Sequence, residues 1–372
     1  MKNPQLMDIY SDYLISSFAL VTSTGLSMLL DNGYSHDQIS RFLAQRKFTQ
    51  QDFWLMVKKL IRKIECPFGV IAIDDTIEEK PHSTENDIIS WHWSHSKNRS
   101  IKGINIVNFL YHNPSIGDEG VSLPLAFEVV EKTEEYYDEA TKTVKRRSPI
   151  SKNELVVTRL RILTHLNKVQ YKYILWDSWF SSKENFDFVH HDLKKYFVAA
   201  LKSNRLVAFS KDEKRQGNFF RVDELTFLPN QPMRVWLKGL DYEVLLIKQI
   251  FTNKDGSTGE LYLVTNDLSL TQDYISAIYE KRWNVEVFHK SLKDNASLAK
   301  SPTKYETTQS NHIFASMLAF CKLEILKLKE NTNHFALKSR LYIKAIQASF
   351  KELQLLKQCN IQLLELAEAK QP

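Results

Sequence analysis

Cysteine is scarce: Cys66, Cys321 and Cys359 are the only three in 372 residues, and no C-x-x-C pair occurs among them. That spacing offers neither a zinc knuckle nor a disulfide framework, and the thiols read as buried groups in a reducing compartment. Long hydrophobic runs are absent too, since no window approaches the ~18 uninterrupted apolar residues of a membrane span. The N-terminus has Lys2 followed by Asp8 and Asp12 amid short apolar stretches, which is not the pattern of an export signal. A cytoplasmic protein is expected. No internal repeat and no low-complexity segment is present, which removes solenoid and disordered architectures. Charge of one sign is also limited: 50 basic against 44 acidic residues leave a net +6, the right sign for a polyanion binder but too small to decide. What remains is a chain with 43% hydrophobic residues, long enough for one large domain with additions or for two.

From about Leu14 to Ile64 apolar residues recur at helical spacing. Gly33 marks a turn, Ser35 with Gln38 forms a capping box, and Thr49 offers a second N-cap, so three short helices are implied. A helix-turn-helix over Leu26 to Leu43 would present Ser40, Arg41 and Gln45; an ordinary helical bundle accounts for the same pattern. The character then changes. "FGVIAIDD", Phe68 to Asp75, suits a strand buried on both faces that ends in two carboxylates. "KGINIVNFLYH" and "SLPLAFEVV" read as two more strands; a helix follows, capped by Ser151 with Glu154, then the strand "YKYILWD", the helix "SSKENFDFVHHDLKK" and the strand "YFVAAL". Three strands, helix, strand, helix, strand describe an α/β domain. Short β-type runs occupy Lys202 to about Asp267, and from Thr271 the chain is helical to a Leu-rich end. The expected divisions are 1–66 helical and DNA-binding, 67–201 core, 202–270 β-rich insertion, 271–300 a further core helix, and 301–372 helical with a dimerisation role.

Asp75 and Asp177 each follow an apolar strand, and in α/β sheets sites assemble at the carboxyl ends of strands. A turn or N-cap aspartate is the common alternative for either one. Two such residues on different strands supply the oxygen donors that hard divalent ions require. Asp74 and Asp75 point to opposite faces of a strand, so only one can share a site with Asp177, and "DDT" does not decide which.

Near the end of the chain, "YEKRWNVEVFHKSLK" reads as one helix. Tyr279, Arg282, Glu286, Lys290 and Lys293 then fall within an arc of about 80°. Ile278, Val285, Phe288, Leu292 and Ala296 form the adjoining apolar face. One acid among four donors suits a surface for phosphate oxygens, while a solvated face with Glu286–Lys290 pairing fits the periodicity equally. "WHWSHSKNR" interleaves aromatic and basic groups, fitting either DNA contact or packing of Trp91 and Trp93. His95, His190 and His191 have no zinc-ligand spacing.

These residues resemble a family. Tyr279, Arg282, Glu286 and Lys293 fit Y-x(2)-R-x(3)-E-x(6)-K, the signature of DDE transposases of the insertion-sequence-four family. "AIDDT" and "LWDSWF" are similar to its two aspartate motifs, in order, across roughly Val70 to Leu326. The resemblance implies an RNase H-like mixed sheet flanked by helices, with a β-rich insertion before the third acid; 108 residues between Asp177 and Glu286 leave room for it. It implies Asp75, Asp177 and Glu286 as catalytic metal ligands for two Mg²⁺, with Mn²⁺ able to substitute. Asp75 is preferred over Asp74 because it directly precedes the motif's Thr. It implies Tyr279, Arg282, Lys290 and Lys293 as contacts to DNA phosphate. Relatives carry a basic residue in the strand where this chain has Ala200, leaving Lys202 or Arg205 for that role, and some stack a flipped base on a Trp in the insertion, for which this chain offers Trp236 or Tyr262, each of which reads first as a buried aromatic of a β sandwich. The implied partners are transposon inverted repeats, target DNA and a second copy of the chain, in a bacterial cytoplasm at the nucleoid and without a membrane. A metal-dependent nuclease without strand transfer, or a transposase-derived protein that binds DNA without cutting it, are the alternative readings.

Overall fold

The computed structural model describes residues 3–95, 97–252 and 255–368, with side chains to 357. Four helices come first: α1 Pro4–Ser16, α2 Ser23–Leu29, α3 His36–Ala44 and α4 Gln50–Ile64. The expected caps form, Ser35 with Gln38 and Thr49 with Asp52. Helix α1 goes beyond the three that periodicity implies; Asn3 caps it through the Leu6 amide, while Asp8, Ser11 and Asp12 break its apolar pattern. In α4, Phe53, Val57, Ile61 and Ile64 form the buried face. Phe53 sets its ring edge-on to Phe127 at 5.5 Å and to Phe314 at 5.6 Å, which joins the helical N-terminus to the sheet. Each such buried ring contributes about 1.5–3 kcal/mol. Ser40, Arg41 and Gln45 are exposed on and beside α3.

The sheet is built from β1 Val70–Glu79, β2 Ser90–Ser94, β3 Arg99–Asn113 and β4 Val121–Val129. A separate hairpin follows, β5 Glu134–Asp138 and β6 Thr143–Arg147. Helix α5 Lys152–Arg161 runs into a π-helical turn, then come β7 Tyr173–Trp176, α6 Lys183–Asp187 with a second π-helical turn at Phe188–Asp192, and β8 Tyr196–Leu201. Strands β4, β3 and β1 are antiparallel, and β7 and β8 add in parallel to β1. That strand order is the RNase H-like core which the resemblance implies. Beyond it, β9 Leu206–Ala208, α7 Lys211–Gln216, β10 Phe220–Arg221, β11 Met233–Leu237, β12 Val244–Thr252 and β13 Thr258–Thr265 extend the same sheet, because β13 pairs with β8. The remainder is helical: α8 Gln272–Glu280, α9 Trp283–Asp294, α10 Glu306–Glu330 and α11 His334–Glu368.

Two local readings change. β1 does not stop at Asp75 but runs to Glu79, because β3 pairs with it along its whole length, from Val70↔His112 to Glu79↔Gly103. Only the parallel pairing to β7 stops early, at Ile73↔Trp176. The stretch Tyr279 to Lys293 is two helices, not one. Asn284 donates from its side chain to the Lys281 carbonyl at 2.9 Å, and the backbone tightens to i→i+3 bonds through Lys281 and Arg282. A short polar side chain competing for backbone groups is a common cause of such breaks.

The two faces of the sheet have different covers. Val70, Tyr173, Leu175, Val198 and Ala200 pack beneath Ile275, Ile278 and Tyr279 of α8. Trp176, Phe186 and Phe197 cluster on the opposite face, with ring centroids 4.6–5.9 Å apart. Cys321 is buried, Cys66 only partly, and the Cys359 side chain lies outside the described residues. No helix among the described residues is long and apolar enough to cross a membrane.

Candidate active site

Alternation along β1 and β7 decides which aspartates meet. Val70 pairs with Tyr173 and Ala72 with Leu175, so the next step on that face brings Asp74 alongside Asp177, one residue past the end of the ladder. Helix α8 covers this face, and α9, which follows it, carries Glu286 in its first turn. Asp74, Glu286 and His289 bring ligand atoms within 4.8 Å of one another. Arg282 lies between the two acids, its Nη1 3.7 Å from Asp74 and 3.3 Å from Glu286.

Asp75 points the other way. Its Oδ2 accepts from Lys152 at the start of α5, at 2.7 Å, and from Asn105 of β3, at 2.8 Å. The expected grouping of Asp75 with Glu286 is therefore replaced by Asp74 with Glu286; a one-residue step in a strand exchanges faces, and α9 packs on the face of Asp74.

The electrostatics follow from crowding. Burial, then Glu286, Asp177 and Asp75 in that order, push the Asp74 carboxyl up to about 8, and Arg282 only partly opposes them. Burial also raises Asp177, although its Oδ1 accepts from the amides of Trp179 and Phe180 at 2.9 and 3.4 Å. Asp177 thus serves as a turn residue while its charge acts on Asp74. Carboxylates crowded in partly buried surroundings carry more negative charge than Arg282 alone offsets, and oxygen donors of this kind are what a hard divalent cation binds. The donor set fits such an ion.

The remaining expected residues divide. Tyr279 is buried in front of the acids, its hydroxyl raised first by desolvation. Lys293 reaches β1, donating to the Ile77 carbonyl at 3.1 Å. Lys290 is turned away from the acids, with its ammonium 5.0 Å over the Phe335 ring of α11. Lys202 is exposed just past the end of β8, and Arg205 is half-buried nearby. Tyr262 is buried and donates to Glu260 at 2.7 Å, whereas Trp236 is half-buried with Lys214 5.2 Å from its ring.

His289 is the residue that sequence reasoning missed, although Glu-x-x-His on one helix was a usable signal. It is buried and faces Asn108, which donates to its Nε2 at 3.0 Å; burial, then Lys293 and Arg282, hold the imidazole down to about 3, so it is neutral. Sequence spacing also hid a second grouping, Asp187, His191 and Asp241, whose ligand atoms lie within 4.8 Å on an exposed surface.

Comparison with known proteins identifies the family. A family model described as DDE superfamily endonuclease matches residues 4–218, and one described as transposase DDE domain matches residues 149–321. No curated protein matches the chain. The first match includes Asp74 and Asp177 and the second Asp177 and Glu286, so the two overlap on β7 and together span the acid group. With more than half of its length in the first match, the chain belongs to the DDE superfamily of endonucleases.

Proposed function

We propose that the protein is a transposase of the insertion-sequence-four family, which binds the inverted repeats of a transposon, cuts at its ends and joins the 3′-hydroxyls to target DNA. What supports this reading is the grouping of Asp74 with Glu286, with Asp177 on the same sheet face as Asp74 by register and Arg282 and Tyr279 beside them. Asp74 takes the place that motif position alone gives to Asp75. Bound Mg²⁺ ions would activate the attacking oxygen and stabilise the leaving one during in-line displacement at phosphorus. The carboxylates hold and neutralise that charge; no covalent enzyme intermediate is needed. Arg282, released from Asp74 once the acids are otherwise neutralised, offers a planar fork to phosphate oxygens, and Tyr279 adds a hydroxyl at the same edge. Lys293 anchors α9 to β1 and places Glu286 relative to Asp74.

Dimerisation through α11 belongs to the same reading. Leu341, Tyr342, Ile346, Phe350 and Leu353 are exposed along it, more apolar surface than a lone helix tolerates. The N-terminal helices, with Arg41 and Gln45 exposed, are assigned to recognition of the repeats.

Purified protein with Mg²⁺ and DNA carrying the short inverted repeats that flank its gene is expected to give both nicked ends and joined products, and neither in the presence of a chelator. Nicks that never progress to joined products would reduce the reading to a nuclease, and the absence of both would defeat it.

A further inference from the structure

β2 lies at one edge of the sheet, and its two tryptophans are neither packed under a loop nor buried: Trp91 is 51% and Trp93 53% exposed. Between them His92 is buried, as are Ser90 and Ser94, so the strand alternates and both indoles project from one face. The register identifies that face. Trp91 stands opposite Lys102 and Trp93 opposite Ser100, while Asp74 stands opposite Asn108. Directly paired residues share a face, and 108, 102 and 100 have the same parity on an unbroken stretch of β3. The tryptophans therefore lie on the same face as Asp74 and Glu286, about 20 Å along the sheet at ~3.3 Å per residue.

The charge of this hairpin has one sign. From Ser90 to Lys102 it carries Lys97, Arg99 and Lys102 and no acid. Lys97 is paired to Glu79, whereas Lys102 sits 5.9 Å over the Trp91 ring and Arg99 is exposed. Residues two apart on a strand are about 6.6 Å apart, close to twice the ~3.4 Å step between stacked bases, which leaves room for a single base between two rings.

Resting on the DNA-processing reading above, we propose that Trp91 and Trp93 form a stacking site for an unpaired base of the processed strand, about six nucleotides from the phosphate held at the acids. Lys102, on the same face, takes an adjoining phosphate. The site distinguishes single-stranded from paired DNA, because a base within a duplex cannot enter between the rings.

The test is fluorescence anisotropy with labelled oligothymidine and with the same oligonucleotide paired to oligoadenine, using the full-length chain. The combined substitution Trp91→Ala and Trp93→Ala is expected to weaken oligothymidine binding on the order of ten- to a hundredfold while leaving duplex binding unchanged. The paired Phe variants are expected to restore most of the loss, and both sets should melt as the wild type does, since the rings are on the surface. Unchanged oligothymidine binding in the alanine variant, or equal loss on both DNAs, overturns the stacking site. Wild-type binding to duplex but not to oligothymidine overturns it while leaving the DNA reading intact; binding to neither overturns both. If the alanine variant instead keeps its DNA affinity and changes only its sedimentation, the pair is a protein contact and the proposal is wrong.

Discussion

Asp74→Asn and Glu286→Gln are each expected to lower DNA cleavage on the order of 10³-fold or more, whereas Asp75→Asn leaves the rate within about tenfold of wild type. A carboxylate that holds charge at the reacting phosphate contributes several kcal/mol, and ~4 kcal/mol corresponds to about 10³ in rate. Asp75 is instead tied to Lys152 and Asn105 on the opposite face, so its loss removes a partly exposed ion pair worth ~1 kcal/mol of stability. The three variants separate function from folding. Asp74 is a crowded carboxyl pushed up to about 8, and its amide isostere should melt no lower than wild type. Cleavage of a synthetic substrate and a thermal melt of each variant check both halves.

Glu324→Ala is expected to cost about 3–5 kcal/mol of stability, the usual penalty when one partner of a buried charge group is removed. Glu324 is 4% exposed on α10, with Lys327 2.9 Å and His334 Nε2 3.3 Å from its carboxylate. The Ser122 amide of β4 donates to it at 3.3 Å, so this one side chain ties the sheet, α10 and the start of α11 together. Burial alone would raise its pKa, but His334 beside it and the Lys327 charge bring it below the ordinary carboxylate value. A depressed folded-state pKa means that the stabilisation is complete above the unfolded value near 4.5 and is lost as pH falls below it. Denaturation midpoints of wild type and Glu324→Ala should therefore differ widely at pH 7 and converge in acid. Parallel curves would show that the carboxylate charge is not what holds α11 in place.

Much of the core was legible because its elements carry local signals. The capping boxes at Ser35, Thr49 and Ser151 lie where short polar residues precede apolar periods, and the strand order follows from apolar runs separated by helices. Alternation shows that Asp74 and Asp75 part company, but the choice between them depends on which face α9 covers, a tertiary fact with no local trace. The break between α8 and α9 depends on where the Asn284 side chain turns. Lys290 lies on the helical stripe by spacing, yet α11, distant in sequence, draws it toward Phe335. The alternation of "SWHWS" was visible as a pattern, whereas its exposure follows from β2 being at the edge of the sheet. Asp187, His191 and Asp241 could not be grouped from spacing, since Asp241 arrives from a turn beyond β11.

Whether Asp74, Asp177 and Glu286 form one divalent-cation site, as proposed, is read most directly by a calorimetric titration of Mn²⁺ into the protein without DNA. Wild type and Asp75→Asn are expected to bind alike, and Asp74→Asn and Glu286→Gln to lose about tenfold or more in affinity. Retained binding in Asp74→Asn together with loss in Asp75→Asn would contradict the account.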